Sequence, residues 1–472
     1  MKVTSKQAYQ LLQKGALALA QMEHNGIRID TEYLDRTIQE TTDRIGYLQG
    51  QLRRDPLFQT WRKKFADRTN LGSREQLAQV LFGVLRHPYE ADRTASGRFR
   101  ADEEILSSVD LPFVKDFIRL EKLKKLKGTY LDGLQRETVD GYLHPVFNLH
   151  TVETYRSSAD SPNFQNIPIR DIEIGELIRR CFIPREGRVL VEIDYVALEF
   201  RVAACFWKDP KMIEYASDKA LDIHRDKAAE CYLLNPKEVS KTIRYCGKNQ
   251  FVFPKLYGSY YVQMAMNLWE AIDKMKLATS EGICLKRYLA DCGIKELGAC
   301  NPKLPPRADS FERHIKRVEE NFDEQFAVFA SSKEKWWTDY QRTGRFRLLT
   351  GFVVRGVYSR NFLMNCPIQG PGFHCLLWSI IHLQKWLKRH RFKSKLVGQI
   401  HDCLLVDVPI IELQDFLASA KQVMTEDLRK AWPWLVVPME IEVEVTPVGA
   451  SWYDKAGYDE VAGLWCPRAE KT

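Results

Sequence analysis

The chain has no cysteine before Cys181, and no two of its eleven cysteines stand in C-x-x-C spacing. That excludes a zinc knuckle and a disulfide framework and predicts reduced thiols. No apolar run approaches the roughly 18 residues a membrane span needs. The opening twenty residues are broken by Gln and Lys, too polar for a signal peptide. A cytoplasmic location with no membrane partner is expected. Internal repeats and low-complexity tracts are missing too, and a chain with 45% hydrophobic and 28% charged residues is neither collagen-like nor largely disordered. Neither charge sign dominates: 70 Lys and Arg face 62 Asp and Glu, for +8 overall. That permits a polyanion partner without requiring one.

At 472 residues the chain is long enough for about three domains or one large divided one. Residues 5–53 read as two helices around a turn and short strand, His24-Asn-Gly-Ile-Arg-Ile-Asp30, with Thr31 as cap of the second. Ser73 caps a helix running to Leu85, and residues 86–101 form a basic loop in which Arg93, Arg98 and Arg100 flank Gly97. Residues 110–137 return to helix, with Leu120, Leu123 and Leu126 interleaved among lysines. The middle changes character. Val189-Leu-Val-Glu-Ile-Asp194 is a short buried strand, Leu396 to Val408 reads as two strands around a tight turn, and Met439 to Val445 alternates. Helical stretches at 209–250, 308–343 and 369–390 separate them. The fold class is α+β: a small antiparallel sheet with large helical insertions.

Asp194 and Asp402 stand at the ends of short hydrophobic strands, where an unpaired charge is costly. Brought together, they would bind divalent metal, and two metals can clamp the attacking and leaving oxygens of a phosphoryl transfer. Read singly, each is better explained as an ordinary turn or cap residue. Arg244 and Lys248 project from one helical face, with His224 before them and Tyr257 after. Such a face could grip a triphosphate while stacking a base; it could also be a solvated surface.

Taken as a set, these blocks resemble family A DNA polymerases. Thr154 to Pro168 is similar to the primer-template motif, Asp194 to Arg201 to motif A, Arg244 to Gly258 to the fingers helix, and Gln399-Ile-His-Asp-Cys403 to motif C. Asn365 to Gly370 matches a fifth block, and His24 to Asp30 and Arg119 to Leu131 resemble the opening and thumb segments. The resemblance implies a right hand. The thumb would span 33–140 and the palm 141–202 and 331–472, with 1–32 packed near it. The fingers would span 203–330, with an insertion at about 270–308. It implies template-directed addition of dNTPs to a primer 3′-hydroxyl. Two Mg²⁺ ions, or Mn²⁺ in their place, would be held by Asp194, Asp402 and the Tyr195 carbonyl. Glu199 would be the steric gate against ribonucleotides. His224, Arg244 and Lys248 would bind the triphosphate, with Phe253 and Tyr257 against the nucleotide and template. Arg156, Gln165, Asn166, Asn365, Gln369, Gln399 and His401 would touch the primer-template, and Lys124, Lys125 and Lys127 its phosphates.

The departures carry information. Cys403 stands where motif C usually has Glu, and Val196-Ala197 where motif A commonly has Ser-Gln. The fingers helix holds one extra residue and Pro254, which predicts a π-bulge or kink near 250–254 and leaves Phe253 in competition with Val252. No exonuclease motif fits ahead of residue 110, so any proofreading would have to come from a separate chain. A phage or other viral replication protein, or an excised fragment, is implied. The protein is expected to be a monomer, with an exonuclease, helicase or clamp as possible further partners. The rivals are a single-subunit RNA polymerase and a catalytically silent DNA-binding module of a replisome.

Overall fold

The computed structural model describes residues 3–87, 93–94, 97–168 and 171–468. Residues 88–92 and 95–96 of the expected basic loop lie outside the described residues. At the centre is a six-stranded antiparallel sheet in the order Lys395–Ile400, Cys403–Pro409, Arg188–Tyr195, Ile441–Val445, Ala456–Val461, Leu464–Pro467. Val189, Leu190, Val191 and Ile193 of the central strand are all buried, as a strand covered on both faces requires. Pairing sets Cys403 opposite Asp194 on one side and Glu442 opposite Asp194 on the other. Between Ile400 and Cys403 the chain reverses in two residues, with His401 at φ 53°, the positive value that the first position of such a hairpin turn can demand.

Two helices back this sheet. The opening helix Ser5–Asn25 lies against the long helix Arg360–Arg389 so closely that a Cβ on Gly15 would sit 2.7 Å from Leu377 Cδ2. Leu11, Leu19 and Met22 face inward, but Leu17 points to solvent. The long helix starts nine residues before the expected 369, because the Ser359 hydroxyl caps the Phe362 amide. Asn365 and Gln369 therefore fall on one helical face. The second helix of the chain, Thr31–Arg54, is capped by Asp30 and not by Thr31: the Asp30 carboxylate accepts from the Tyr33 amide at 2.9 Å.

A second, smaller core gathers Leu52, Trp61, Leu77, Leu81, Phe113 and Phe117 from the helices between residues 31 and 125. The leucine repeat joins the two cores, since Leu120 belongs to this one while Leu123 and Leu126 belong to the main one. Helices between residues 198 and 343 form the remaining mass beside the sheet. The segment 270–308 is packed into it through Leu285 and Leu289, both fully buried. All eleven cysteines are free thiols.

Candidate active site

Asp194 is the penultimate residue of the central strand, and Asp402 ends the two-residue turn beside it. Both line a cavity of about 360 Å³, together with Arg156, Glu199, Lys248 and Phe253. The Asp194 side chain opens to that cavity yet has protein around most of it. Burial, then the charges of Asp402, Glu192 and Glu442, pushes its carboxyl up to about 7. Burial likewise lifts Asp402 to about 6, against the pull of the Arg156 guanidinium. One Asp402 oxygen, Oδ1, is buried without a hydrogen-bond partner among the described residues. Two neighbouring carboxylates whose charges burial opposes, and an orphaned oxygen, suit a divalent cation. Among the described residues no group of three His, Cys, Asp or Glu side chains could hold a metal alone. A hard cation here would therefore need water and substrate oxygens besides the two aspartates, the pattern Mg²⁺ favours. The Tyr195 side chain is buried, its hydroxyl within 2.8 Å of Ser379 and donating to the Met424 carbonyl at 2.9 Å, so only its backbone is available.

One carboxylate escaped the sequence reading. Glu192 lies two residues before Asp194 on the same face of the strand and lines the same cavity. It accepts from Trp452 Nε1 at 2.7 Å and Lys455 Nζ at 2.6 Å. Burial opposes its charge, but these partners, Lys455 foremost, bring its carboxyl below the ordinary range. The signal was present: an acidic residue in the middle of an apolar strand. Cys403, opposite Asp194, is buried, and burial drives its thiol far up, so it adds no charge.

Over the sheet lies a bent helix, Lys241–Leu256, whose middle, Gly247–Val252, is a π-turn. The extra residue is absorbed there, slightly upstream of the expected site, and Pro254 follows in the first turn after it, where a missing N–H is tolerated. Val252 is fully buried while Phe253 faces the cavity, which separates the two rival registers. The Phe253 ring stacks on Tyr257 with centroids 6.0 Å apart at 11°, and Lys248 Nζ stands 5.4 Å from the Phe253 centroid. Arg244 is held by Asp222, Nε to Oδ2 at 2.5 Å. Burial, with Arg244 and Lys248 adding, lowers His224 to about 3, and neither ring nitrogen has a hydrogen-bond partner among the described residues. With no bound anion against it the ring is neutral and can offer a hydrogen bond. Gly247 touches the His224 segment, and a Cβ there would lie 2.6 Å from Ala228 Cβ and 2.8 Å from the His224 carbonyl. Gly247→Ala should wedge the bent helix away and raise the apparent nucleotide KM by about tenfold, read from single-nucleotide kinetics.

Glu199, in the first turn of helix Leu198–Trp207, is pinned from two sides. Arg156 Nη2 donates to Oε1 at 2.5 Å, and the Tyr257 hydroxyl donates to Oε2. Arg156 also lies 3.8 Å from Asp402 Oδ1, so its guanidinium links gate and aspartate. The Gln369 side chain lies near the same Tyr257 hydroxyl, and Asn365 Oδ1 is buried with no hydrogen-bond partner among the described residues. Gln165 and Gln399, expected on the duplex, are instead buried. Gln165 Nε2 donates to Gln399 Oε1 at 2.8 Å, and Gln399 Nε2 to the His401 carbonyl at 2.7 Å. They are supports that fix the Asp402 turn from beneath. His401 itself lines the cavity. Asn166 and Lys125 line a separate groove of about 320 Å³ with Tyr130 and Phe164. Lys124 is half-buried, and Lys127 is paired with Asp132 at 2.9 Å.

An antiparallel sheet presenting two neighbouring aspartates beneath a cationic helix is a polymerase-type architecture, and a solved structure agrees. The chain superposes with a TM-score of 0.70 on the POL domain of Pol1 from M. smegmatis in complex with DNA primer-template and dNTP. The match is 24% identical and covers 93% of this chain and 70% of that one. The model of DNA polymerase family A matches residues 46–291 and 306–454, passing over 292–305 inside the segment expected to be an insertion. The chain belongs to DNA polymerase family A. Among curated relatives, DNA polymerase I of Caldicellulosiruptor bescii is 27% identical over 92% of this chain and 46% of its own length. The thermostable DNA polymerase I of Thermus thermophilus is 28% identical over 93% of this chain and 47% of its own. The chain thus spans about half the length of these relatives.

Proposed function

We propose that the protein is a DNA-directed DNA polymerase that extends a primer by two-metal-ion nucleotidyl transfer. The observation that carries this reading is the pair Asp194 and Asp402, with only Arg156 at 3.8 Å from Asp402 as an ion-pair partner among the described residues, facing Lys248 across one cavity. Asp194, Asp402 and the Tyr195 carbonyl would hold Mg²⁺, which lowers the barrier by activating the 3′-hydroxyl and screening the leaving phosphates. Lys248 and Arg244 approach from the bent helix to take up charge growing on pyrophosphate, Arg244 exchanging Asp222 for phosphate. His224 adds a neutral donor. Phe253 and Tyr257 offer a stacked aromatic surface to the nucleotide, and Glu199 fills the place of a ribose 2′-hydroxyl. Arg156, Asn166, Asn365, Gln369, His401, Lys124 and Lys125 are assigned to the primer-template. In this reading residues 33–140 form the thumb, 203–330 the fingers, and 141–202 with 331–472 the palm.

Primer extension with Mg²⁺, using dNTPs and rNTPs in parallel, is the test. The wild type should extend with dNTPs only, and Glu199→Ala should accept rNTPs at least about tenfold better, since a clash has been removed. Duplex binding without extension by the wild type would leave a silent DNA-binding module as the answer. Efficient extension with rNTPs by the wild type would point to an RNA polymerase.

A further inference from the structure

The bent helix carries a lysine where an amphipathic helix would bury an apolar side chain. Lys255 is 2% exposed and lies in sequence between Phe253 and Tyr257, the two stacked aromatic residues of the bent helix. An isolated ammonium so placed would cost several kcal/mol. It is instead held by two acids of the helix Phe311–Gln325: Nζ donates to Glu319 Oε1 at 2.8 Å and to Asp323 Oδ2 at 2.7 Å. Glu319 does more than neutralise. Its second oxygen, Oε2, accepts from the backbone amide of Tyr261 at 3.2 Å. Tyr261 opens the helix Tyr261–Lys274, which has no side-chain cap of its own from Tyr260. One carboxylate therefore holds both ends of the turn Leu256 to Tyr260, and Tyr257 sits inside that turn. From Tyr257 the chain of contacts runs on through its hydroxyl to Glu199.

We propose that Glu319, acting through Lys255 and the Tyr261 amide, is a positioning residue for sugar selection that sets the Tyr257 hydroxyl against Glu199 and so fixes the gate. The inference rests on Glu199 being the gate. Glu319 touches neither nucleotide nor metal; it specifies where the Tyr257 turn stands. A gate held by one hydrogen bond and one ion pair swings when the backbone bearing the hydroxyl drifts. A drift of a few tenths of an ångström in Tyr257 would free Glu199 to swing aside and admit a 2′-hydroxyl, with little change for a deoxyribose. Asp323 has a second cation, Lys333 at 3.8 Å, so losing Lys255 does not leave that acid alone. Glu319 has no other cation within salt-bridge reach among the described residues.

The experiment is a comparison of dNTP and rNTP single-nucleotide incorporation for wild type, Glu319→Ala, Lys255→Met and Tyr257→Phe, with Glu199→Ala as reference. Lys255→Met keeps the length of the buried side chain and guards against a fold defect in Glu319→Ala. Both clamp variants should lower the preference for dNTP over rNTP by about tenfold, with dNTP turnover changed far less. In the Tyr257→Phe background, where the hydroxyl link is already gone, Glu319→Ala should add nothing further. A stability defect alone would lower turnover of both nucleotides equally and leave their ratio fixed. If Glu199→Ala admits rNTPs but the clamp variants retain full discrimination, the clamp is overturned and the gate stands. Additive losses in the double variant likewise overturn it. If Glu199→Ala still excludes rNTPs, the gate reading fails and the clamp with it.

Discussion

Asp194→Asn and Asp402→Asn are each expected to cut nucleotide incorporation by about a thousandfold while making the protein harder to melt at pH 8. Both effects have one cause. The folded chain holds the Asp194 carboxyl at about 7 and Asp402 at about 6, where the ordinary value is 3.8. From about pH 4 upward the unfolded chain ionises these groups while the folded chain keeps their protons. Stability is therefore lost as pH rises through the window from about 4 to 7, and above it the whole penalty remains. Asparagine removes the charge and the penalty. Asp194 opens to solvent, so its share is discounted to about 1 kcal/mol, a few degrees of melting temperature for a chain of this size. The gain should be largest at pH 8 and vanish near pH 4. Mg²⁺ should raise the wild-type melting temperature, because it binds only where both carboxylates are assembled, and should do little for either variant. A variant that melts lower than wild type at pH 8, or that keeps the full Mg²⁺ shift, would count against two repelling carboxylates built to hold a cation. Without metal, the same displacements predict that duplex-bound enzyme takes up protons as pH falls through 7, measurable by potentiometry.

The strands and the two aspartates were legible because their signals are local. Val189 to Asp194 is a β-branched run, and Leu396 to Val408 holds two apolar strands around a tight turn, so that hairpin follows from the pattern, whereas its pairing with Val189 to Asp194 is set by the fold. The π-turn was legible too, as one residue too many beside a proline. Other features depend on what the fold brings from a distance. Gln165 and Gln399 looked like duplex contacts, yet they are 234 positions apart and satisfy each other below the surface. His224 reads in sequence as a triphosphate contact, and only its burial beside Arg244 and Lys248 shows that the neutral ring is favoured there. Asp30 outcompetes Thr31 as a cap by one position, a margin that pattern alone does not resolve. Glu192 and Lys255 were overlooked for a common reason. A charge inside an apolar pattern reads as an interruption until its partners, Lys455 in one case and Glu319 with Asp323 in the other, are found far along the chain.

Arg185→Ala should destabilise the protein by about 3 kcal/mol, the largest effect expected outside the cavity. Asp407 lies on the strand that begins at Cys403, and its side chain is only 2% exposed. Arg185 Nη1 meets Asp407 Oδ2 at 2.5 Å, while Nη2 donates to the carbonyls of Asn25 and Gly26, where the opening helix ends. The same guanidinium lies 4.8 Å from the ring of Tyr142. One side chain thus fastens the end of the opening helix, and the ring of Tyr142, to the strand that follows the Asp402 turn. Removing it leaves a buried carboxylate whose nearest remaining cation is Arg188, 3.9 Å away, so the cost falls at the lower end of what breaking a buried pair entails. Asp407→Asn in the Arg185→Ala background removes the stranded charge and should recover at least about 1 kcal/mol. Urea unfolding measures both, with an unchanged denaturant slope showing that the unfolded ensemble is not the source. Asp407 is five residues along the strand from Asp402, and the intervening residues Leu404, Leu405 and Val406 are buried in the main core. The folded fraction should therefore keep the wild-type turnover rate. A single-variant cost below about 1 kcal/mol would mean that Arg188 closes on Asp407 and that the helix end is held by packing on the long helix alone.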